Sequence, residues 1–516
     1  MRRARRKGTV YLVGAGPGDP SLITVRGHNL LRRAHVVVVD ALAPPELLRL
    51  APATAERVRI GGGGRRRLDQ NAINRLLISR ARRGLRVVRL KGGDPNIFGR
   101  VGEEAEALVR ARIPFEIIPG VTAALGAAAT TGIPLTHRLH ASSVAFATAH
   151  VRAGKSPGTI DWKGLARADT VALYMGVRRL RSALRRIMAA GRSAATPAAL
   201  VRWATRPEQQ VIRGTLGTIA GKAERSGLVP PAILIAGEVA QLGTRLDWFA
   251  RRPLAGLSIA VTRPRDQAAA LTERLCEEGA RVIVAPSITL QPPRSRAPLD
   301  RALRRLGRYR YLVLTSANGV ERFFDRMGTL GIDLRALAGV GIVTIGPATA
   351  DAVRARGLLV AAVPEEYRAE GLLRVMGKRR VNGARVLIAR AEKARAILPD
   401  VLRRRGALVE VVPVYRAIAS REGWPELLRA IREDDLDLLT FTSSATVSLF
   451  MAKLRGADRR KARRIPAAVI GPITARTARE NGLRVTAMPR EYTVEALATT
   501  IVRRLRNSPS GTLRGS

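Results

Sequence analysis

Three glycine-rich turns, one acidic strand end and two sets of hydroxyls are the residues of this sequence whose types and spacing could do chemistry. The first turn follows Val10–Val13 and reads GAGPGDP. Gly14, Gly16 and Gly18 let the backbone bend tightly and leave main-chain amides open to a ligand. The second turn, KGGDPNIFGR from Lys91 to Arg100, carries Gly92, Gly93 and Asp94, and the third runs from Pro119 through Gly120, Thr122 and Ala123. Asp40 ends the apolar run HVVVVD, and ligands of open α/β sheets gather at the carboxyl ends of strands. A carboxylate in that position can also simply be an N-cap for the next segment of chain. The first turn is G-x-G-x-G stiffened by Pro17 and Pro20, not the G-x-G-x-x-G that opens directly into a helix at a dinucleotide site. Taken alone it reads equally well as a plain strand-to-loop turn. In the second half, Thr315-Ser316, Thr442-Ser443-Ser444 and two Ile-Gly-Pro turns (Ile345–Pro347, Ile470–Pro472) end apolar runs. At helix starts such residues offer hydroxyls and amides to anions, although each alone could be an N-cap.

These residues need strands to deliver them and helices to hold the turns in place. Ser21–Arg33 and Asn71–Arg82 have helical spacing, while RVVRL and FEIIPGV read as further strands. Glu103, Glu104 and Glu106 fall at a helix start, where carboxylates suit the dipole. The recurrence of strand, glycine loop and helix predicts a mostly parallel α/β sheet. From Thr170 to Gln241 the α/β pattern continues, and a fresh strand starts at Leu257 after the cluster Ala250–Leu254.

At 516 residues the chain should hold about two to four domains. Aromatics make up only 4% of it, so the cores must rest on Val, Leu, Ile and Ala. A single cysteine, Cys276, excludes an intramolecular disulfide and a multi-cysteine metal site, and no metal is expected. Its setting, LTERLCEEG, is that of a small buried apolar residue. The net charge of +49 would attract nucleic acid, anionic membrane or a substrate with several carboxylates. The arginines, however, are spread along the whole chain, as a genome-wide preference for Arg codons would leave them. MRRARRK has no signal-peptide apolar core behind it, and Pro119–His137 is too polar to span a bilayer, so a cytoplasmic location is expected.

GAGPGDP, VVVVD, RLKGGDPNIFGR, GEEAEAL, IPGVTAA and LYMG together resemble uroporphyrinogen-III C-methyltransferase of the tetrapyrrole methylase superfamily, from about Thr9 to Trp248. The resemblance implies a cleft between two α/β lobes holding S-adenosylmethionine. Its cofactor contacts match Pro17, Gly92, Gly93, Asp94, Ile97, Thr122, Ala123, Met175 and Ala204, and its proposed base matches Asp40. The Gly-Gly-Asp turn would supply close backbone approach and a carboxylate for the ribose. The sequence departs from the family where a lysine proposed as proton donor usually stands: Gly62 takes its place, and Ala41 follows the aspartate where Arg is usual. Arg65, Arg66 or Arg67 could restore the charge, but arginine is a poor proton donor.

The second half repeats itself. LSIAVTRPRDQAAALTERLCEEGARVIVAPSI parallels ARVLIARAEKARAILPDVLRRRGALVEVVPVY, with Arg263 matching Arg390, Gly279 matching Gly406 and Pro286 matching Pro413. YLVLTSANGVERFF then parallels LLTFTSSATVSLF, VTIGPATADAVRARGLLV parallels AVIGPITARTARENGLRV, and Tyr367 matches Tyr492. Four matching blocks in one order predict two similar α/β lobes. TSANGV, VPVYRA, FTSSATV and IGPITARTA resemble uroporphyrinogen-III synthase from about Pro253 to Arg506. That resemblance implies crossover strands at Ser287–Pro293 and Val412–Ala417, an implicated tyrosine at Tyr415, and substrate contacts at Thr442, Ser443, Ser444 and Thr474. The family uses no covalent nucleophile. Hydroxymethylbilane loses its hydroxyl and closes with inversion of its D ring, the protein mainly shaping the chain.

The expected architecture is therefore a two-lobed methylase domain (8–248), a linker (249–256) and a duplicated synthase domain (257–506). In the latter, residues 257–290 and 416–506 form one lobe and 291–415 the other. The expected function is bifunctional: cyclisation to uroporphyrinogen III, then methylation at C-2 and C-7 to precorrin-2. The partners expected are these tetrapyrroles, with no nucleic acid or membrane, and family analogy suggests a homodimer through the methylase half. Two rivals are a related methylase acting on RNA and a basic nucleic-acid-binding protein without activity. The first leaves the duplicated half unexplained; the second calls for basic residues clustered with exposed aromatics, and the sequence has no such cluster.

Overall fold

Val10, Leu12, Val13 and the four residues Val36–Val39 are all buried, and runs apolar on both faces belong inside a sheet covered on both sides. They lie in β1 (Val10–Gly14) and β2 (Val36–Asp40). With β3 (Glu56–Ile60), β4 (Val87–Lys91) and β5 (Phe115–Ile118) these make a sheet of order β3-β2-β4-β1-β5. Its pairings are parallel, as the strand–turn–helix recurrence predicts. Gly14 lies beside Lys91 and Val39 beside Leu90, so the glycine turns and Asp40 leave the same edge. The structure is a computed structural model that describes residues 7–61, 68–149, 160–362, 381–393 and 397–506.

The helix expected over Ser21–Arg33 is shorter. Asp19 caps a single 3-10 turn, Pro20–Leu22, and Thr24 then caps the helix Val25–Leu31 by accepting from the Gly27 amide. Two capping side chains in close succession break what the apolar spacing alone would join.

A second sheet follows in the same compact unit: β6 (Val144–Thr148), β7 (Thr170–Tyr174), β8 (Pro197–Arg202), β9 (Gln210–Thr215) and β10 (Ala232–Ala236), in the order β6-β7-β10-β8-β9. Here the expected parallel rule fails. Only β6 and β7 run parallel; β10 is antiparallel to both its neighbours, and β8 to β9. The link from Arg202 to Gln210 is too short for the helical crossover that a parallel pair needs.

The first compact unit extends to Leu257 and takes in Leu275–Arg281, and the second begins at Ser258. In the second, β11 (Ser258–Val261), β12 (Arg281–Val284), β18 (Leu438–Phe441), β19 (Ala467–Val469) and β20 (Val485–Ala487) form one sheet, ordered β12-β11-β18-β19-β20. The other comprises β13 (Ile288–Gln291), β14 (Tyr311–Leu314), β15 (Gly341–Thr344), β16 (Arg385–Ala391) and β17 (Leu408–Ala419), ordered β13-β17-β16-β14-β15. Replacing β12, β11, β18 and β19 by their sequence repeats β17, β16, β14 and β15 reproduces the order. Even the fifth position has a counterpart, a parallel bridge from Val343 to Ala362. The surplus strand β13 runs antiparallel to the end of β17, Ile288 beside Ala419 and Gln291 beside Arg416. Aromatics anchor both cores: Trp424, Phe441 and Phe450 in one, Tyr309, Phe323 and Phe324 in the other.

Candidate functional site

In the first unit the three glycine turns interlock through bare backbone. Gly16 and Gly93, both with left-handed φ, exchange two hydrogen bonds, 3.2 Å from the Gly16 amide and 2.8 Å from the Gly93 amide. A Cβ on Gly14 would stand 2.7 Å from the Gly120 Cα, and one on Gly120 would stand 2.4 Å from the Gly93 carbonyl oxygen. Neither position admits a side chain. Asp94 fastens the same junction: its Oδ1 accepts from the Asn96 amide (2.7 Å) and its Oδ2 from the Gly120 amide (2.8 Å). A carboxylate has about four lone-pair sites, so half its accepting capacity goes to the loops.

The second sheet supplies the facing residues. Pro17 fills the space over Gly126, where a Cβ would come within 2.5 Å of the Pro17 ring, and the Asp19 amide donates to Thr205 Oγ1 (2.8 Å). Tyr174, at the end of β7, shares its hydroxyl with Thr122 Oγ1 (2.8 Å) and accepts from the Ala124 amide (3.1 Å). Burial pushes that phenol above its ordinary range. Ile97 and Ala123 pack into the cluster that holds Tyr174 and Ala204, the Phe98 ring lies 4.9 Å from the Tyr174 ring, and Met175 follows with about half its surface exposed. Gly92 faces Leu42, which follows Asp40 by two residues. The nine residues expected to hold a cofactor thus come together.

Backbone strain collects there as well. Phe98, Arg100, Met175, Trp203 and Thr205 all have left-handed φ, five of the seven such non-glycine residues among those described. Bulky residues rarely adopt this conformation, and strain of this kind clusters at ligand sites. Nothing in the sequence marks these positions.

Below Asp40 lies a group of charges that the sequence patterns did not single out. Arg89 Nη2 donates to Asp40 Oδ1 (2.5 Å), and Arg89 Nε to Glu104 Oε1 (3.1 Å). Lys91 Nζ donates to Glu104 Oε2 (2.9 Å), and Gln70 Nε2 to Glu104 Oε1 (3.2 Å). Glu104 lies in the first helical turn, as expected, but is fully buried among these partners. Burial, then the neighbouring Arg89, pulls the Lys91 ammonium below its ordinary pKa. A signal was present: Arg89 and Lys91 alternate in a strand otherwise wholly apolar, and alternate residues share a face. Gly62 and Arg65–Arg67, where the expected lysine is replaced, lie outside the described residues.

In the second unit Ser316 and Ser443 are N-caps, accepting from the Gly319 amide (3.1 Å) and the Thr446 amide (3.2 Å). Tyr415, on β17, pairs its hydroxyl with Ser316 Oγ (3.3 Å). Ser444 Oγ donates to the Ile473 carbonyl (3.3 Å), which brings the helix starts bearing Thr442, Ser443, Ser444 and the buried Thr474 side by side. Tyr415 belongs to the other sheet. Tyr367 lies outside the described residues. Cys276 is half-buried, and burial pushes its thiol up to about 11, consistent with a packing role.

Residues 9–220 match the family model of tetrapyrrole (corrin/porphyrin) methylases, and residues 269–499 that of uroporphyrinogen-III synthase HemD. A porphyrin biosynthesis protein HemD of Ruminiclostridium josui is 36% identical over 479 residues, spanning 92% of this chain and 94% of that one. A uroporphyrinogen-III C-methyltransferase of Bacillus subtilis (strain 168) is 35% identical, over 75% of this chain and 78% of its own length. Among solved structures, a uroporphyrin-III C-methyl transferase from Thermus thermophilus complexed with S-adenyl homocysteine is 40% identical, over 46% of this chain and all of its own, with a TM-score of 0.41. The chain belongs to the family of porphyrin-biosynthesis proteins that join a tetrapyrrole methylase to a uroporphyrinogen-III synthase in one polypeptide.

Proposed function

We propose that the second half converts hydroxymethylbilane to uroporphyrinogen III, releasing water as the ring closes. The first half then methylates that product at C-2 and C-7 to give precorrin-2. The observation that carries the reading is the presence of both families in one chain, because the product of one is the substrate of the other.

For the methylase half, the donor set of the glycine junction fits S-adenosylmethionine. Ile97, Ala123 and Ala204 would bracket its base, Thr122 and the Gly92–Gly93 backbone would meet its polar atoms, and the spare lone pairs of Asp94 would receive its ribose hydroxyls. When bound, it supplies a methyl group on a sulfonium to a pyrrole carbon. The protein's share is alignment and proton removal: Asp40, partly exposed at the strand edge, takes the proton released as the macrocycle rearranges. For the synthase half, Thr442, Ser443, Ser444, Thr474 and Tyr415 offer hydroxyls and helix-start amides to the substrate's carboxylates, and no nucleophile is required. Some of the excess arginine would steer these polyanions, and no nucleic-acid or membrane partner belongs to the reading. A cytoplasmic homodimer through the methylase half completes the reading; among the described residues no helix is long and apolar enough to cross a membrane.

The test is to incubate the full chain with hydroxymethylbilane, with and without S-adenosylmethionine, and to follow products by isomer analysis and mass. Uroporphyrinogen III, gaining two methyl groups in the complete mixture, is expected. Only the symmetric type I isomer would overturn the synthase assignment, and unmethylated uroporphyrinogen III the other.

A further inference from the structure

The charges beneath Asp40 form a chain that runs from the interior to the site. We propose that Glu104 is a positioning residue for methyl transfer: acting through Arg89, it fixes the carboxylate of Asp40 at the strand edge. The inference rests on Asp40 being the base.

Exposure falls steeply along the chain. The Asp40 side chain is 31% exposed, Arg89 and Lys91 3%, and Glu104 not at all. Arg89 reaches both carboxylates with one planar, rigid group, Nε on Glu104 and Nη2 on Asp40. Fixing the first contact therefore fixes the direction of the second. Its remaining nitrogen points at the carbonyls of Val38 and Leu90, each 3.4 Å away, one on the neighbouring strand and one next in its own. Glu104 is itself held from three elements: Arg89 and Lys91 on β4, Gln70 on the helix Gln70–Arg82, and its own helix Val101–Arg110.

Lys91 immediately precedes Gly92. The same carboxylate thus ties the proposed base to the strand that launches the cofactor turn. Two cations and two anions balance within the cluster. Buried ion pairs commonly give less stability than apolar residues of the same volume, so their value lies more readily in orientation than in cohesion. A cluster built for stability alone would have no need to extend an arm to a partly exposed aspartate.

The experiment uses the full chain with uroporphyrinogen III and S-adenosylmethionine, and four variants: D40N, E104Q, D40N/E104Q and K91M/E104Q. Removal of the base should slow methyl transfer about a hundredfold or more in D40N. E104Q should lower kcat about tenfold or more while S-adenosylhomocysteine affinity, measured by calorimetry, stays within about threefold. D40N/E104Q should be no slower than D40N within a factor of about two, because residues acting as one unit are not additive. E104Q leaves an unbalanced buried cation and is expected to melt lower. K91M/E104Q removes that cation and should regain thermal stability without regaining kcat. Independent, multiplying losses in D40N/E104Q, or recovery of kcat together with stability in K91M/E104Q, would overturn the proposal. Full methylation by D40N would instead overturn the assignment of the base on which it stands.

Discussion

The two halves build their sites from opposite materials. In the methylase half, a bare-backbone junction, five strained residues and a largely buried four-charge cluster surround the proposed cofactor site. In the synthase half the residues proposed to meet the substrate are hydroxyls at helix starts, and the two capping serines are nearly identical in conformation. Ser316 has φ −161° and ψ 154°, and Ser443 φ −164° and ψ 157°. The contrast matches the chemistry. Placing a methyl group on one carbon and removing one proton demands atoms fixed against their own preferences, which costs stability that the surrounding packing must offset. Shaping a flexible polycarboxylate until it closes demands only donors at suitable places. The methylase half should therefore fail sharply on single changes, and the synthase half should degrade slowly.

The largest effect is expected at the glycine junction. Gly120→Ala puts a methyl group 2.4 Å from the Gly93 carbonyl oxygen, a contact that neither rigid turn can relieve. S-adenosylhomocysteine affinity should fall more than about a hundredfold, the scale of an overpacked site that must shift its backbone, while turnover of hydroxymethylbilane by the same protein holds. A comparable loss in both activities would show that the two halves do not fail independently. Asp94→Asn comes next. An amide nitrogen would replace one of two oxygens that each accept from a main-chain N–H. Leaving one buried donor unsatisfied costs about 1–3 kcal/mol, so affinity for the same probe should drop about tenfold to a hundredfold.

These two predictions also mark what could be read from the chain. The glycine turns, Asp40 and the duplication were legible because each is a local pattern: a strand end, a turn or a repeated block carries its meaning without partners. Glu104 was not. Its role depends on the helix Val101–Arg110 lying over β4 so that one carboxylate meets both Arg89 and Lys91, a register no local spacing states. The left-handed φ of Met175 and Trp203 was hidden for the same reason, since surrounding structure imposes it against the residues' own preference. The mixed second sheet is signalled only by its β8–β9 link, too short for a parallel crossover, against a recurrence of strand and helix that points to parallel pairing.

In the synthase half the expected effects are smaller. Tyr415→Phe removes one hydroxyl whose protein partner, Ser316, keeps its helix-capping bond to Gly319. Turnover of hydroxymethylbilane should fall less than about tenfold, the scale of one neutral hydrogen bond. A drop beyond about a hundredfold, with the melting temperature unchanged, would make Tyr415 part of the chemistry and narrow the contrast between the halves.

The finest test compares the two caps with each other. Ser316→Ala and Ser443→Ala each delete one N-cap bond of similar length, 3.1 and 3.2 Å, from helices in matched conformations, together with one hydroxyl contact of 3.3 Å, to Tyr415 in the first and to Thr446 in the second. Each should cost about 1 kcal/mol, the usual effect of losing a Ser cap. In a unit of this size that corresponds to a melting shift of about 2–4 °C, read by calorimetry. If both hydroxyls are only caps, the shifts will be equal and turnover will change less than about threefold in either variant. If Ser443 also receives a substrate carboxylate, as proposed, its variant will lose more turnover at the same loss of stability, and KM will carry the difference. The cap is common to both lobes, so its loss cancels in the comparison, and a turnover deficit confined to the Ser443 variant at equal loss of stability belongs to the substrate.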